Sequence, residues 1–237
     1  MKAIILAAGR GSRMRRMTDD RPKCLVEFQG RALLDHQISA LRAAGIQDIG
    51  IVTGYRREML AGRASREFHN ARWPNTNMVA SLACAREWLL QAACIISYSD
   101  IFYEPEAISL LMASQADLSI TYDPDWLDIW QRRFSDPLSD AETFRLHADG
   151  TLAEIGNQAD SIQAIQGQYM GLLRVSPAGW AEIATIREGL PAPQQDRMHM
   201  TGTLQAIIQA GRLPIEAIPY QGVWGEVDSA TDLEAYG

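Results

Sequence analysis

Residues 6–23 of the chain read LAAGRGSRMRRMTDDRPK. Gly9 and Gly11 stand among Arg10, Arg13, Arg15, Arg16, Arg21 and Lys23, although the whole chain carries a formal charge of −7. Glycines let a backbone approach an anion closely and turn its N–H groups toward it. Arginine adds planar, paired donors for phosphate oxygens, and lysine a compact point charge. The stretch therefore predicts binding of a small, highly charged phosphate. Two phosphate loops are excluded: GxxxxGK[ST] is absent, and Met14 stands where GxGxxG needs its third glycine. A turn with solvated arginines accounts for GRGSR taken alone.

A second group with chemical potential is Asp100, which ends the apolar run CIISYSD. In open α/β sheets, ligands bind beyond the carboxyl ends of the strands. A carboxylate there suits Mg²⁺, which takes one or two carboxylates together with phosphate oxygens and waters. The second half of the chain holds Tyr122, Trp126, Trp130, Tyr169, Trp180 and Trp224, with Asp123, Asp125 and Asp128 among the first three. Aromatic faces with carboxylates recognise ammonium groups. Core packing accounts for most tryptophans, and Trp126 and Trp130, four residues apart, equally suit one face of a helix.

The elements that must position these groups alternate. KAIILAA, DIGIVTGY, CIISYSD and DLSITYD read as buried strands, and LLDHQISALRAAGI, MVASLACAREWLLQA and PEAISLLMAS as the helices between them. The order implies an α/β fold with a mostly parallel central sheet and helices on both faces. Beyond residue 122 the pattern is less regular. FRLHADGTLAEIG suggests a hairpin turning at Asp149-Gly150, GQYMGLLRVS and LPIEAIPYQG read as strands, and Gly211 stops a helix begun near Met200. The expectation is one domain over 1–237, its sheet mixed in the second half, with a lid-like insertion at about 123–150.

The longer string AIILAAGRGSRM…TDDRPKCLVEFQGRALLDHQ resembles the nucleotidyltransferases that activate sugar phosphates and phosphocholine, whose fingerprint is LAAGxGxRMxxxTxxxPKxLxxxxGxPLLxxQ. Ala32 replaces the usual Pro before the Leu pair. Downstream, NTNMVASL, a strand ending in SYSD, and WGEVDSATDL continue the likeness, and NTNMVASL is similar to the phosphocholine and aminoalkylphosphonate cytidylyltransferase branch. The resemblance implies a Rossmann-like nucleotidyltransferase with a nucleotide-binding half, 1–121, and an acceptor-binding half, 122–237. By position in its motifs, Leu6, Ala7, Ala8, Gly9, Gly11 and Ser12 would surround a triphosphate. Arg13 would hold the leaving phosphates and Lys23 the α-phosphate. Asp228 would join Asp100 on Mg²⁺, with Glu226 as a weaker neighbour, although Asp228 or Ser229 also suits a cap on the last helix. Gly54, Tyr55, Asn75, Asn77 and Ser81 would border the nucleoside. An Asn before a helix is also an ordinary N-cap. Tyr122, Trp126, Tyr169, Thr201 and Trp224 would face the acceptor.

The implied reaction is Mg²⁺-dependent transfer of CMP from CTP to a small phosphorylated or phosphonylated amino alcohol. UTP or dTTP with a sugar 1-phosphate, GTP with a molybdopterin-like acceptor, and a catalytically silent nucleotide sensor remain as alternatives. The acidic balance disfavours nucleic acid as a partner. No run reaches the length of a membrane span, and the opening apolar run is too short for a signal peptide, so a cytoplasmic protein is expected, with homodimers a possible assembly. Cys24, Cys84 and Cys94 form neither a CxxC pair nor an even set, so a disulfide framework or a zinc site is not suggested.

Overall fold

The computed structural model describes residues 1–236, apart from the side chains of Arg13, Arg15 and Arg16. The expectation for Arg13 therefore lies outside the described residues. Strand β1 (Lys2–Ala7) is the apolar run that precedes the glycine loop, and it is buried along nearly its whole length. A short hairpin, β2 (Glu27–Phe28) and β3 (Arg31–Ala32), leads into α1 (Leu33–Ala43). Next come β4 (Ile49–Thr53), β5 (Arg66–His69), α2 (Met78–Ala83), α3 (Arg86–Gln91) and β6 (Cys94–Tyr98). Then follow β7 (Ile101–Tyr103), α4 (Pro105–Ala113), β8 (Leu118–Asp123) and α5 (Trp126–Arg133). The second half adds the hairpin β9 (Glu142–Leu146) and β10 (Leu152–Gln158), then β11 (Gln168–Val175), α6 (Pro177–Glu188) and α7 (Ala192–Arg197). The chain closes with α8 (Met200–Ala210), β12 (Glu216–Pro219), β13 (Trp224–Glu226) and α9 (Ala230–Ala235).

Seven strands form one sheet in the order β12-β8-β11-β6-β1-β4-β5. β1 runs parallel to β4 and β6, and β4 to β5. The later strand β11 inserts antiparallel between β6 and β8, which makes the sheet mixed as expected. Strands from both halves of the chain thus share one sheet. Apolar side chains from both faces meet the helices in a single large core, in which Ile4, Ile5, Leu34, Val52, Ile95 and Leu172 are inaccessible or nearly so. None of the described helices is long and apolar enough to cross a membrane.

The helix expected over 78–92 is broken at Cys84–Ala85. The Cys84 and Ala85 N–H groups donate to the carbonyls three residues back, which tightens the turn and restarts the helix at Arg86. The break does not cost burial, since Val79, Leu82, Ala85 and Leu89 all remain inaccessible. Within 123–150, α5 is anchored in the core by Trp126 and Trp130, which are 3% and 4% exposed.

Candidate active site

The chain leaves β1 at the centre of the sheet's carboxyl edge and turns back at Gly11, which has a φ of 74°. A Cβ at Gly11 would lie 2.7 Å from the Cβ of Lys23, so only glycine lets the loop rest on that lysine. The Thr18 hydroxyl and the Met14 N–H both donate to the Gly11 carbonyl, each at 3.0 Å, and draw the loop into a compact curl. Pro22 precedes a short helical turn that begins with Lys23 and buries its side chain.

Asp100 and Asp228 meet because β13 pairs antiparallel with β7, with Glu226 opposite Ile101. The Val227 N–H extends that ladder by donating to the Asp100 carbonyl at 2.8 Å. Gln37 holds the bend carrying Asp100 from below: its side-chain amide donates to the carbonyls of Tyr98 (2.7 Å) and Ile101 (2.6 Å). Gln37 lies on the buried face of α1, between Leu33 and Leu41. A polar residue on an apolar helix face was the signal available in the sequence for this role.

The Lys23 ammonium sits between the two aspartates, 2.8 Å from Asp100 Oδ2 and hydrogen-bonded to Asp228 Oδ1. Burial alone would lower its pKa, but Asp100, Asp228 and Glu226 outweigh that and raise it above the ordinary lysine value. Oxygens of Asp100, Glu226 and Asp228 lie within 4.8 Å of one another. Burial, reinforced by Asp228 and Asp100, pushes the Glu226 carboxyl up to about 8, against the opposing charges of Arg133 and Lys23. Arg133, on α5 with no exposed side chain, pairs with Glu226 at 3.2 Å, Asp232 at 3.0 Å and Asp228 at 3.7 Å. Glu226 is thus part of the cluster and more central than its sequence context suggested. Asp100 Oδ1 is buried without a hydrogen-bond partner among the described residues. An all-oxygen donor set with one orphaned carboxylate oxygen fits a hard divalent cation.

The last helix is capped as the sequence allowed. Ser229 and Asp232 form a reciprocal capping box, and Asp232 Oδ2 also accepts the Asp228 N–H at 2.8 Å. Ser229 is therefore the cap, and the Asp228 side chain is left to face Lys23.

Two cavities flank this cluster. One, of about 270 Å³, is lined by Leu6, Ala8, Gly9, Gly11 and Ser12 of the loop, and by Lys23 and Asp100. Asn77 and Ser81 complete its wall together with Trp73 and Thr76. Asn77 lines this cavity, and its side chain also caps α2 by accepting the Met78 N–H at 2.7 Å. The other, of about 240 Å³, is lined by Tyr169, Thr201 and Trp224, and by Trp130, Glu142 and Gln168. Asp228 and Glu226 border it as well. Tyr98 and Met78 line both cavities and form the partition between them.

Other expected positions fall elsewhere. Ala7 is a core residue of β1. Tyr55 sits outside both cavities with its hydroxyl donating to the Asp19 carbonyl at 2.6 Å, and Asn75 is exposed at the end of the short helical turn Trp73–Asn75. Gly54 supports the loop from behind: a Cβ there would come 2.5 Å from the Ala8 carbonyl oxygen and 2.7 Å from Trp73 Cβ. Gly54→Ala should therefore destabilise the protein by about 1–3 kcal/mol through overpacking and weaken nucleotide binding, as read from urea unfolding and nucleotide titration. Tyr122 and Trp126 belong to the core and line neither cavity; Tyr122 stacks on the buried ring of Phe144 at 4.8 Å. Glu142, Gln168 and Tyr98 were not anticipated. They reach the cavities from strand ends: Glu142 begins β9, Gln168 begins β11 and Tyr98 ends β6.

Residues 3–144 match the family model for the MobA-like NTP transferase domain. The chain belongs to that family. This nucleotidyltransferase is 35% identical to the CTP:phosphoglutamine cytidylyltransferase of Campylobacter jejuni, over 99% of the chain and 98% of the relative. It is 29% identical to the CMP-5′-(3-aminopropyl)phosphonate synthase of Streptomyces rubellomurinus, over 85% of the chain and 32% of that larger protein. The inositol-1-phosphate CTP transferase of T. maritima shares the fold, with a TM-score of 0.79 at 17% identity over 99% of this chain and 94% of that one. The resemblance to the phosphocholine and aminoalkylphosphonate branch is therefore borne out at the level of family and fold.

Proposed function

We propose that this nucleotidyltransferase transfers CMP from CTP to a small phosphorylated or phosphonylated acceptor that carries an ammonium group, and releases pyrophosphate. The observation that carries the reading is the pair of cavities meeting at Lys23, Asp100 and Asp228. One has a glycine loop and a lysine, and the other has aromatic and acidic walls. The full-length likeness to a CTP-dependent relative supports cytidine as the base. The triphosphate would lie along Gly9–Ser12 with its α-phosphorus near Lys23. Tyr169, Trp130 and Trp224 with Glu142 suit a cationic acceptor end. Phosphoglutamine, aminoalkylphosphonates and phosphocholine all carry such a cation.

In the reaction an acceptor phosphate oxygen forms a bond to the α-phosphorus, and the bond from the α-phosphorus to the bridging oxygen of pyrophosphate breaks. The attacking oxygen is already anionic near neutral pH, because a phosphate monoester has its second pKa near ~6. No general base is required, and catalysis reduces to alignment and charge neutralisation. Asp100 and Asp228 would hold Mg²⁺, which supplies charge stabilisation to the phosphate oxygens when bound. Lys23 would stabilise the charge growing on the α-phosphate, and the Tyr98–Met78 partition would keep the two substrates in line.

Pyrophosphate release tests the reading when CTP, UTP, GTP, ATP and dTTP are crossed with phosphocholine, phosphoethanolamine, 2-aminoethylphosphonate, phosphoglutamine and glucose 1-phosphate. CTP with an ammonium-bearing acceptor is the expected pair. Preference for a sugar phosphate with UTP or dTTP would overturn the base and acceptor assignments.

A further inference from the structure

A buried carboxylate behind the acceptor cavity has no part in the chemistry described so far. Asp123, at the end of β8, is 4% exposed. Its Oδ2 accepts the Trp224 indole N–H at 2.8 Å, and its Oδ1 accepts the Asp125 N–H at 2.7 Å. Among the described residues no lysine, arginine or histidine forms an ion pair with it. A buried carboxylate held only by neutral donors is costly. A neutral Asn there would offer one oxygen to these two donors and turn its NH2 toward the other, so the carboxylate is the group that satisfies both. Trp224 itself is 5% exposed, lines the acceptor cavity, and packs against Trp130 with ring centroids 6.4 Å apart.

We propose that Asp123 is a specificity-determining positioning residue: its carboxylate fixes the Trp224 indole and makes that ring's face more attractive to an ammonium group. The physical basis is twofold. A hydrogen bond from an indole N–H to an anion pushes electron density into the ring, whose face already attracts cations. The carboxylate also adds negative potential behind the ring, in a site shielded from water. Asp123 thus acts through Trp224 and does not touch the acceptor. The inference rests on the proposed ammonium-bearing acceptor.

The test is the ratio of kcat/KM for a cationic acceptor over its neutral carbon isostere. The pairs are phosphocholine against 3,3-dimethylbutyl phosphate and phosphoethanolamine against propyl phosphate, each with CTP. The wild type, Asp123→Asn, Trp224→Phe and the double variant are compared. Asp123→Asn removes the charge and keeps one of the two acceptor oxygens. It should lower the ratio about five- to tenfold, a typical share of a desolvated cation–aromatic contact. In the Trp224→Phe background the same change should leave the ratio within twofold. General structural damage would lower both rates together and leave the ratio unchanged, and that result overturns the proposal, as does an Asp123→Asn effect that persists without the indole. If Asp123→Asn does not fold, Asp123→Ser takes its place in the same comparison, because it also removes the charge and leaves the Trp224 ring unchanged. A lowered ratio supports the proposal and an unchanged one overturns it. A wild type that does not favour the cation in either pair removes the acceptor reading, and Asp123's role with it.

Discussion

Lys23→Ala should lower kcat for nucleotidyl transfer by about 10²–10³-fold, the usual cost of removing one preorganised donor from a developing charge. The lysine's ammonium is buried, lies on the wall of the loop cavity and touches both Asp100 and Asp228. Removing it leaves two carboxylates facing each other without the cation between them. Breaking a buried pair in this way costs about 3–5 kcal/mol of stability. Mg²⁺ supplies charge of the missing sign, so the thermal unfolding of Lys23→Ala should respond more strongly to added Mg²⁺ than that of the wild type. Single-turnover rates on the Mg²⁺-stabilised variant separate the two losses. A rate within tenfold of the wild type would remove Lys23 from the reaction.

Asp100→Asn and Asp228→Asn should each abolish tight divalent-cation binding and lower kcat by on the order of 10³ or more, because a bound metal contributes several kcal/mol of charge stabilisation. Asp228→Asn is the cleaner change. The bond that joins residue 228 to the helix cap runs through its backbone N–H to Asp232, so α9 keeps its capping box. Mn²⁺ titration followed by electron paramagnetic resonance reads the metal directly, and pyrophosphate release reads the rate. Glu226→Gln should have the smaller effect on Mn²⁺ affinity, because Glu226 is already engaged by Arg133 and holds its proton more tightly than an ordinary carboxylate. Asn variants that bind Mn²⁺ as the wild type does would show that the cluster is not the metal site.

The capping box at Ser229 and Asp232, the hairpin turn at Asp149-Gly150 and the stop at Gly211 were all legible locally. Each depends on residues a few positions apart. Strands β1, β4, β6 and β8 were legible for a related reason, since a strand buried on both faces reads as an unbroken apolar run. The glycine loop belongs to the same class. Its curl is set by the positive φ of Gly11 and by bonds from Met14 and Thr18, all within one short stretch.

The three-carboxylate cluster is of a different kind. It arises because β7 and β13, strands of three residues each, pair across about half the length of the chain. Strands so short carry no periodicity, and their register decides which side chains face Lys23. That is why Glu226 looked peripheral in the sequence, and why Arg133 gave no sign of its three acidic partners. The same limit explains Tyr122 and Trp126, whose residue types suit an acceptor cavity but whose faces point into the core. Residue types and local spacing specified the glycine loop and the caps, because those depend on short-range stereochemistry, and the resemblance of the longer motif string to a known family implied the reaction class. Tertiary structure alone settled which carboxylates converge and which aromatic rings line the cavity, because both follow from strand register and packing between residues far apart in the chain.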